Sequence, residues 1–461
     1  MTDLNGAARL TFLGGAGTVT GSKILLEYKD KKILIDCGLF QGLKQLRLLN
    51  RAPFPIDPSS IDTIILTHAH LDHCGFLPVL VNNGFKGDIH CTYPTKDLTE
   101  VILMDSAKIQ EEDAARANSH KYSKHPESKP LYTTKDVIRT MKHLEGHELH
   151  EWVIIDENIS FQFKNAGHIL GSSFVELKTK DKKFLFSGDI GRTNPMLLYP
   201  PKRIEQADYV VLESTYGDRI HPKTNVKMEL LSVIEDTFDK KGILMIPSFA
   251  VERTQEIIYL LYQLIEEEML PPMKIYLDSP MGVNSTNIYN KYHDWQNISN
   301  FEINRMYNDI HYIMSYEESK AMVQDSNPKI IIAGSGMVEG GRILHYLNNH
   351  LENERNTLLF VGYQGEGTRG RSLMDGAKEI KFFGEYRKVR CEIRSISSLS
   401  AHGDQEEMLN WLKGFKTPPT TLFLNHGEPH QADTFRVKIE SELGWDVEVP
   451  SMNSTFIIND I

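Results

Sequence analysis

The sequence is poor in cysteine, has no long hydrophobic run and carries no excess of positive charge. Its four cysteines, Cys37, Cys74, Cys91 and Cys391, form no Cys-x-x-Cys pair in 461 residues. That is too few for a disulfide framework, so a reducing, cytoplasmic setting is expected. Cys37 follows Asp36 and Cys74 follows His73, and both read as small buried residues. No apolar stretch approaches the roughly 20 residues that cross a bilayer, so no membrane span is expected. Met1 to Gly6 has neither the basic stretch nor the apolar core of a signal peptide. The net charge is −11, whereas nucleic-acid binders normally present a basic face. Bound divalent cations would supply positive charge locally. The run Arg369, Arg371, Lys378, Lys381, Arg387, Lys388, Arg390 and Arg394 reads equally well as a basic patch or as solvated surface.

What is present is an ordinary globular composition, 40% apolar and 25% charged, in a chain long enough for two or three domains. There is no internal repeat and no low-complexity segment. Leu10 to Asp36 reads as strand, turn, strand, strand. Gly14 to Gly17 is a turn and not a dinucleotide fingerprint, because no helix pattern follows it. Residues 97–117 read as a helix. His120 to Pro130 reads as a polar loop with His120 and His125 in solvent, and residues 153–190 as short strands. A different rhythm starts after Glu213. Strands at Gly242–Ile246, Lys274–Asp278, Lys329–Ala333 and Thr357–Val361 alternate with helical patterns, among them Glu252–Glu268. Alternation of this kind predicts a parallel sheet with helices on its faces.

The densest chemistry lies in His68-Ala69-His70-Leu71-Asp72-His73, after the β-branched apolar run Ile61–Thr67. In extended backbone, residues two apart point the same way. His68 and His70 can therefore meet on one cation, while Asp72 and His73, past the turn, aim at a second. Imidazole nitrogens with a carboxylate are zinc-type ligands. Six residues do not close two sites, and further ligands are expected from glycine-bounded turns. His168 in Asn165–Gly171 and Asp189 in Phe186–Gly191 are the candidates. Alone, each would be a core histidine and a turn residue.

Asp36, His68, His70, Asp72, His73, His168 and Asp189 resemble the ordered motifs of the metallo-β-lactamase superfamily. Glu213 in Leu212–Gly217, His402 in Leu399–Asp404 and His426 in Asn425–Glu428 are similar to the three extra motifs of its β-CASP nucleases. The resemblance spans essentially the whole chain. It implies an α/β fold: a metallo-β-lactamase αββα sandwich of residues 1–213 and 396–461, with a β-CASP α/β domain inserted at 214–395 and the active site between the two. It implies two Zn2+, one held by His68, His70 and His168 and the other by Asp72, His73 and His426. Asp189 would bridge them and Asp36 would orient a ligand or water. His402 would be the general acid, partnered by Glu213, so that Asp36, Asp72, Glu213 and His402 are the catalytic residues. Arg253, Ser335, Gly336 and Ser400 are candidates for substrate phosphates. Ser335 and Gly336 would offer backbone N–H groups at a strand end before a helix; the other reading of Gly334–Gly336 is a tight turn needing unusual φ.

The implied activity is hydrolysis of RNA, in single strands, by a hydroxide activated by two metals, leaving a 5′-phosphate and a 3′-hydroxyl. A histidine at position 426 is the pattern of relatives acting on RNA; the DNA-repair branch typically has valine there. Specificity would reside in a partner, a guiding homodimer or neither. The alternatives are a small-molecule hydrolase of thioesters, lactones or phosphodiesters, a DNA nuclease on the same metal core, and an inactive, metal-free binding protein.

Overall fold

The computed structural model describes residues 7–119, 127–362, 364–365 and 367–459. Met1 to Gly6, His120 and His125 lie outside the described residues. The chain forms two compact units, one built from both its ends (Met1–Ile220 with His402–Ile461) and one from His221–Ala401. These limits fall a few residues beyond the expected 213/214 and 395/396. The turn after Glu213 stays with the first unit because Ser214 N–H donates to His426 O and Gln405 Nε2 to Gly217 O. At the other end, Ile396 N–H still donates to Phe360 O of the second unit.

In chain order the first unit contains β1 (Ala8–Gly14), β2 (Lys23–Tyr28), β3 (Lys31–Ile35), β4 (Thr63–Ile65), β5 (Asp88–Thr92), β6 (Leu144–His147), β7 (Val153–Ile154), β8 (Ser160–Asn165), β9 (Ser173–Lys178), β10 (Lys183–Phe186) and β11 (Tyr209–Glu213). The second unit contributes β12 (Ile243–Pro247), β13 (Lys274–Asp278), β14 (Ile310–Tyr312), β15 (Lys329–Ala333), β16 (Thr357–Phe360), β17 (Glu379–Phe382), β18 (Glu385–Lys388) and β19 (Glu392–Ser395). The chain then returns with β20 (Thr421–Asn425), β21 (Val447–Glu448) and β22 (Thr455–Ile458).

The first unit holds two seven-stranded sheets, ordered β22-β1-β2-β3-β4-β5-β6 and β21-β20-β11-β10-β9-β8-β7. Each is completed by strands from the far end of the sequence. Strand periodicity explains how they pack. Along β11, Tyr209 and Val211 join Phe161, Phe163, Val175, Phe186, Leu10, Phe12 and Leu26 in the core shared by the sheets. Val210 and Leu212 point the other way, onto Met408, Leu409, Leu412, Phe435 and Ile439 of the covering helices. A strand buried on both faces reads as a continuous apolar run, as β11 does. The expected helix at 97–117 runs from Tyr93 to Ser119; Pro94 sits in its first turn, where a missing N–H costs nothing.

The second unit is a six-stranded, all-parallel sheet, β14-β13-β15-β12-β16-β19, with the β17–β18 hairpin beside it. Its core gathers Met245, Ile331 and Leu358 from the sheet with Ile343, Tyr346 and Leu347 from a flanking helix. The helix expected at Glu252–Glu268 begins one residue later, at Arg253, because Glu252 takes a left-handed φ of 65°. In the basic run, Arg369, Arg371, Arg387 and Arg394 each lie beside a carboxylate, Glu339, Asp375, Glu385 and Glu392. This is the pattern of a solvated, ion-paired surface.

Candidate metal centre

Every strand that carries a site residue ends at the same edge of the first unit. Asp36 follows β3, His68 and His70 follow β4, Glu213 closes β11 and His426 follows β20. His68–His70 lies just beyond β4 and outside any named strand, with His70 at extended angles (φ −58°, ψ 147°), and Asp72 and His73 lie in the one-turn helix Leu71–Cys74. That helix is held from behind. Cys37 N–H donates to His73 O at 2.7 Å, Leu39 N–H to Leu71 O at 3.0 Å and Ser22 N–H to Asp72 O at 2.8 Å. The approach is close enough to demand glycine at position 38, where a Cβ would fall 1.5 Å from Asp72 O. Buried Lys23 ties the same layer together. Its ammonium donates to Gly21 O and Gly38 O and sits over the Phe40 ring, 4.3 Å from the centroid. Burial pushes its pKa down to about 8.

The side chains converge in two sets. His68 Nε2 is 3.2 Å from His70 Nδ1, which is 3.1 Å from His168 Nε2. His73 Nε2 is 3.2 Å from His426 Nε2, which is 3.5 Å from Asp72 Oδ2. Asp189 touches both sets with different oxygens. Its Oδ2 is 3.4 Å from His68 Nε2 and from His168 Nε2, and its Oδ1 is 3.3 Å from His73 Nε2. Gly188 lets this carboxylate approach, because a Cβ there would lie 2.5 Å from Thr67 Oγ1.

Several of these contacts join two nitrogens or sit off the hydrogen-bond axis. Asp189 Oδ1 is buried and has no hydrogen-bond partner although imidazole nitrogens surround it. Atoms that crowd without a donor–acceptor axis are related as ligands of one ion are. Around a tetrahedral zinc with bonds near 2.0–2.1 Å, ligand atoms stand about 3.3–3.4 Å apart. The donor set, the spacing and the orphaned oxygen all fit metal binding: His68, His70, His168 and Asp189 form one group that could hold an ion and Asp72, His73 and His426 another, with Asp189 Oδ1 3.3 Å from both His73 and His426.

The charges agree. Burial, then neighbouring His68, pushes His70 down to about 3, and burial lowers His68 and His168 as well, which keeps three imidazoles in the neutral form that binds metals. Burial opposes charge on His73 too, yet Asp189 and Asp36 together hold its pKa well above the ordinary value. Burial likewise opposes ionisation of Asp72 and Asp189, but the histidines around them keep both carboxyl groups below the usual range.

A chain of hydrogen bonds behind the ligands sets their tautomers. His73 Nδ1 donates to Asp36 Oδ2 at 2.7 Å, so Nε2 faces the centre. His68 Nδ1 donates to Thr67 Oγ1 at 3.0 Å, and that hydroxyl donates to Asp36 Oδ2 at 2.9 Å. Asp36 is fixed in turn by the Thr67 amide, 2.8 Å from its Oδ1. Asp36 and His426 both adopt left-handed backbone, with φ of 59° and 48°. Such residues cost about 1–2 kcal/mol, and strain of this kind gathers at functional sites.

Beside the centre, His402 Nδ1 lies 3.0 Å from both oxygens of buried Glu213. Its ring stands 4.4 Å from that of His168 and 5.8 Å from that of Tyr216. Burial works against the imidazolium, but Glu213 outweighs it, and the pKa rises to about 9. The Glu213 carboxylate is itself held by the Ile190 amide at 2.6 Å, next to Asp189. The His402 loop is tied to the same turn by a β-bridge to Gly191 and by Gly403 N–H donating to Ile190 O.

Thus Asp36, His68, His70, Asp72, His73, His168, Asp189, Glu213, His402 and His426 come together in one unit. Arg253, Ser335, Gly336 and Ser400 belong to the other. Arg253 is buried and paired with Glu256, and Ser400 is buried. Ser335 and Gly336 do not open a helix: the next one starts at Ile343. They lie in a turn that contains the cis peptide bond Gly334–Ser335 and has positive φ at Val338 and Gly341. Thr67, Tyr216 and Ser172, whose Oγ accepts from the His168 amide at 2.9 Å, are site residues that sequence reading passes over. The adjacency of Thr67 to His68 and the place of Tyr216 in the Leu212–Gly217 motif are the signals that could have flagged two of them.

Family models match along the chain in order: the metallo-beta-lactamase superfamily over residues 17–231, the Beta-Casp domain over 254–373, and a Zn-dependent metallo-hydrolase RNA specificity domain over 386–450. The chain is 36% identical to "Ribonuclease TTHA0252" of Thermus thermophilus, across 91% of this chain and 93% of that one. It is 33% identical to an "RNase J-like protein" of Methanocaldococcus jannaschii, across 96% and 97%. Against "Transcription termination factor FttA" of Methanosarcina mazei, identity is 31% over 91% of this chain and 67% of the relative. A crystal structure of a protein of unknown function from Enterococcus faecalis shares the fold, with a TM-score of 0.57 at 14% identity over 98% of this chain and 100% of that one. Among the described residues, no helix is long and apolar enough to cross a membrane.

Proposed function

Because the chain belongs to the metallo-β-lactamase superfamily and carries its β-CASP domain, we propose that it is a metal-dependent ribonuclease working with two Zn2+ on single-stranded RNA. The observation that carries this reading is the pair of ligand sets sharing Asp189, with the His402–Glu213 pair alongside. His68, His70 and His168 would hold one ion, Asp72, His73 and His426 the other, and Asp189 both. Bound there, the cations supply Lewis acidity toward water and toward the phosphoryl oxygens.

The chain's own residues do the rest. Asp36, through Thr67 and directly, holds the outer nitrogens of His68 and His73 as hydrogen-bond donors and so aims their Nε2 atoms at the centre. Glu213 takes the Nδ1–H of His402 and holds that ring as an imidazolium. Nε2 is then the nitrogen that gives a proton to the departing 3′-oxygen, leaving 5′-phosphate and 3′-hydroxyl ends.

The test is a cleavage assay on 5′-labelled single-stranded RNA and matched DNA, with and without chelator. RNA cleavage that chelation abolishes and zinc restores is the expected result. Turnover confined to a thioester or a cyclic dinucleotide would overturn the reading.

A further inference from the structure

One cluster of ligand-type side chains takes no part in that centre. β5 and β6 run parallel, with His90 opposite Glu145 and Thr92 opposite His147. Side chains two apart on a strand share a face, so Glu145 and His147 point the same way. His90, in register with Glu145, lies on that face too. His90 Nδ1 is 3.0 Å from His147 Nε2 and 3.7 Å from Glu145 Oε2. The rings rest on apolar side chains of the facing sheet: Phe161 is 5.3 Å from His90, and Phe163 is 6.1 Å from His147.

We propose that His90, Glu145 and His147 form a separate site for one divalent ion of the zinc type, at the β6 edge of the first sheet. Two imidazole nitrogens and one carboxylate oxygen are the three protein ligands of an open tetrahedral zinc site, with water in the fourth position. The spacing fits with little movement, since 3.0 and 3.7 Å bracket the roughly 3.3 Å between ligand atoms around zinc. The carboxylate is free to close the gap, because the Glu145 side chain is 55% exposed. That exposure is also the entry path. Burial, and then His147, push His90 down to about 4, and burial lowers His147, so both rings are in the neutral, ligating form near pH 7.

An ion there would cross-link the edge strand β6 to β5. From β5, His90 O accepts the Leu66 amide at 2.8 Å, two residues before His68. The ion would therefore brace β5, the neighbour of the strand β4 from which the His68–His73 loop departs.

Zinc counting on the full chain, stripped and then dialysed against zinc, tests this. The parent should hold one more ion per chain than His147→Gln, and equal counts overturn the site. Glu145→Gln, a change at a side chain more than half exposed, guards against misfolding; it should weaken the extra ion tenfold or more, and unchanged affinity overturns the three-ligand assignment. The one-ion difference caused by His147→Gln should persist in an Asp189→Asn background. If it vanishes there, the ion belongs to the centre that Asp189 serves, and the proposal fails.

Discussion

Replacing Glu213 by glutamine isolates the proton-donating arm from the metal ligands. The amide side chain would keep an oxygen for the Ile190 amide and the volume of the buried carboxylate, but the change removes the charge facing His402. With Glu213 in place, the His402 pKa is about 9, so about 99% of the imidazole is protonated at pH 7 on ordinary titration. Bound cations lower this value in parent and variant alike by like-charge repulsion, so the difference between the two proteins is the quantity to read. Without the carboxylate, burial is the dominant influence left, and the pKa falls toward or below its ordinary value. At the ordinary value of 6.5 about a quarter would be protonated at pH 7, a roughly fourfold loss from protonation alone, and burial deepens it. Loss of the anchor on Nδ1 adds misorientation. The expected fall in kcat/KM is about 10²–10³, inside the 10²–10⁴ range of general acid catalysis. Initial rates on labelled RNA between pH 5.5 and 9.5, with zinc content measured on the same samples, decide the matter. The alkaline limb should move to lower pH while zinc stays bound. An unmoved limb, or a zinc loss that matches the rate loss, would refute the assignment of His402 as acid.

Asp189→Asn and His426→Ala should each lower zinc content and abolish cleavage, since each removes a donor from a set whose nitrogens stand 3.2 Å apart; metal analysis beside the rate checks this. Asp36→Asn leaves every ligand in place but unseats His73 and Thr67, so zinc affinity or activity should drop about 10–100-fold, read by competition with a chromogenic chelator. Gly38→Ala drives a methyl into Asp72 O and should destabilise the fold by about 1–3 kcal/mol, seen as a lower denaturation midpoint. In chelated protein, the raised pKa of His402 implies stability that is fully present below its unfolded value of 6.5 and lost as pH rises through about 9. Denaturant titrations at pH 6 and pH 9.5 should show that loss in the parent and a smaller one in Glu213→Gln.

Local pattern sufficed for much of the molecule. Continuous apolar runs such as Tyr209–Leu212 announce strands buried on both faces. The strand–helix rhythm after Glu213 announces a parallel sheet, and three imidazoles with a carboxylate in six residues announce metal, whatever fold holds them. These are legible because side-chain periodicity and ligand chemistry are properties of neighbouring residues. Pairings across the chain are not local, and only the tertiary structure decided them. His73 meets His426 from 353 residues away because β20 pairs with β11 in a sheet whose strands β7 to β11 come from the first half of the chain. Ser335 and Gly336 turned out to lie in a turn that precedes its helix by several residues, since a glycine-rich segment does not say where its helix starts. His90, Glu145 and His147 look unrelated in sequence; parallel register alone puts them on one face. The chain's chemistry was thus determined residue by residue, whereas the relay from His68 through Thr67 to Asp36, and the meeting of His402 with Glu213, exist because hydrogen bonds and packing hold distant loops within about 3 Å.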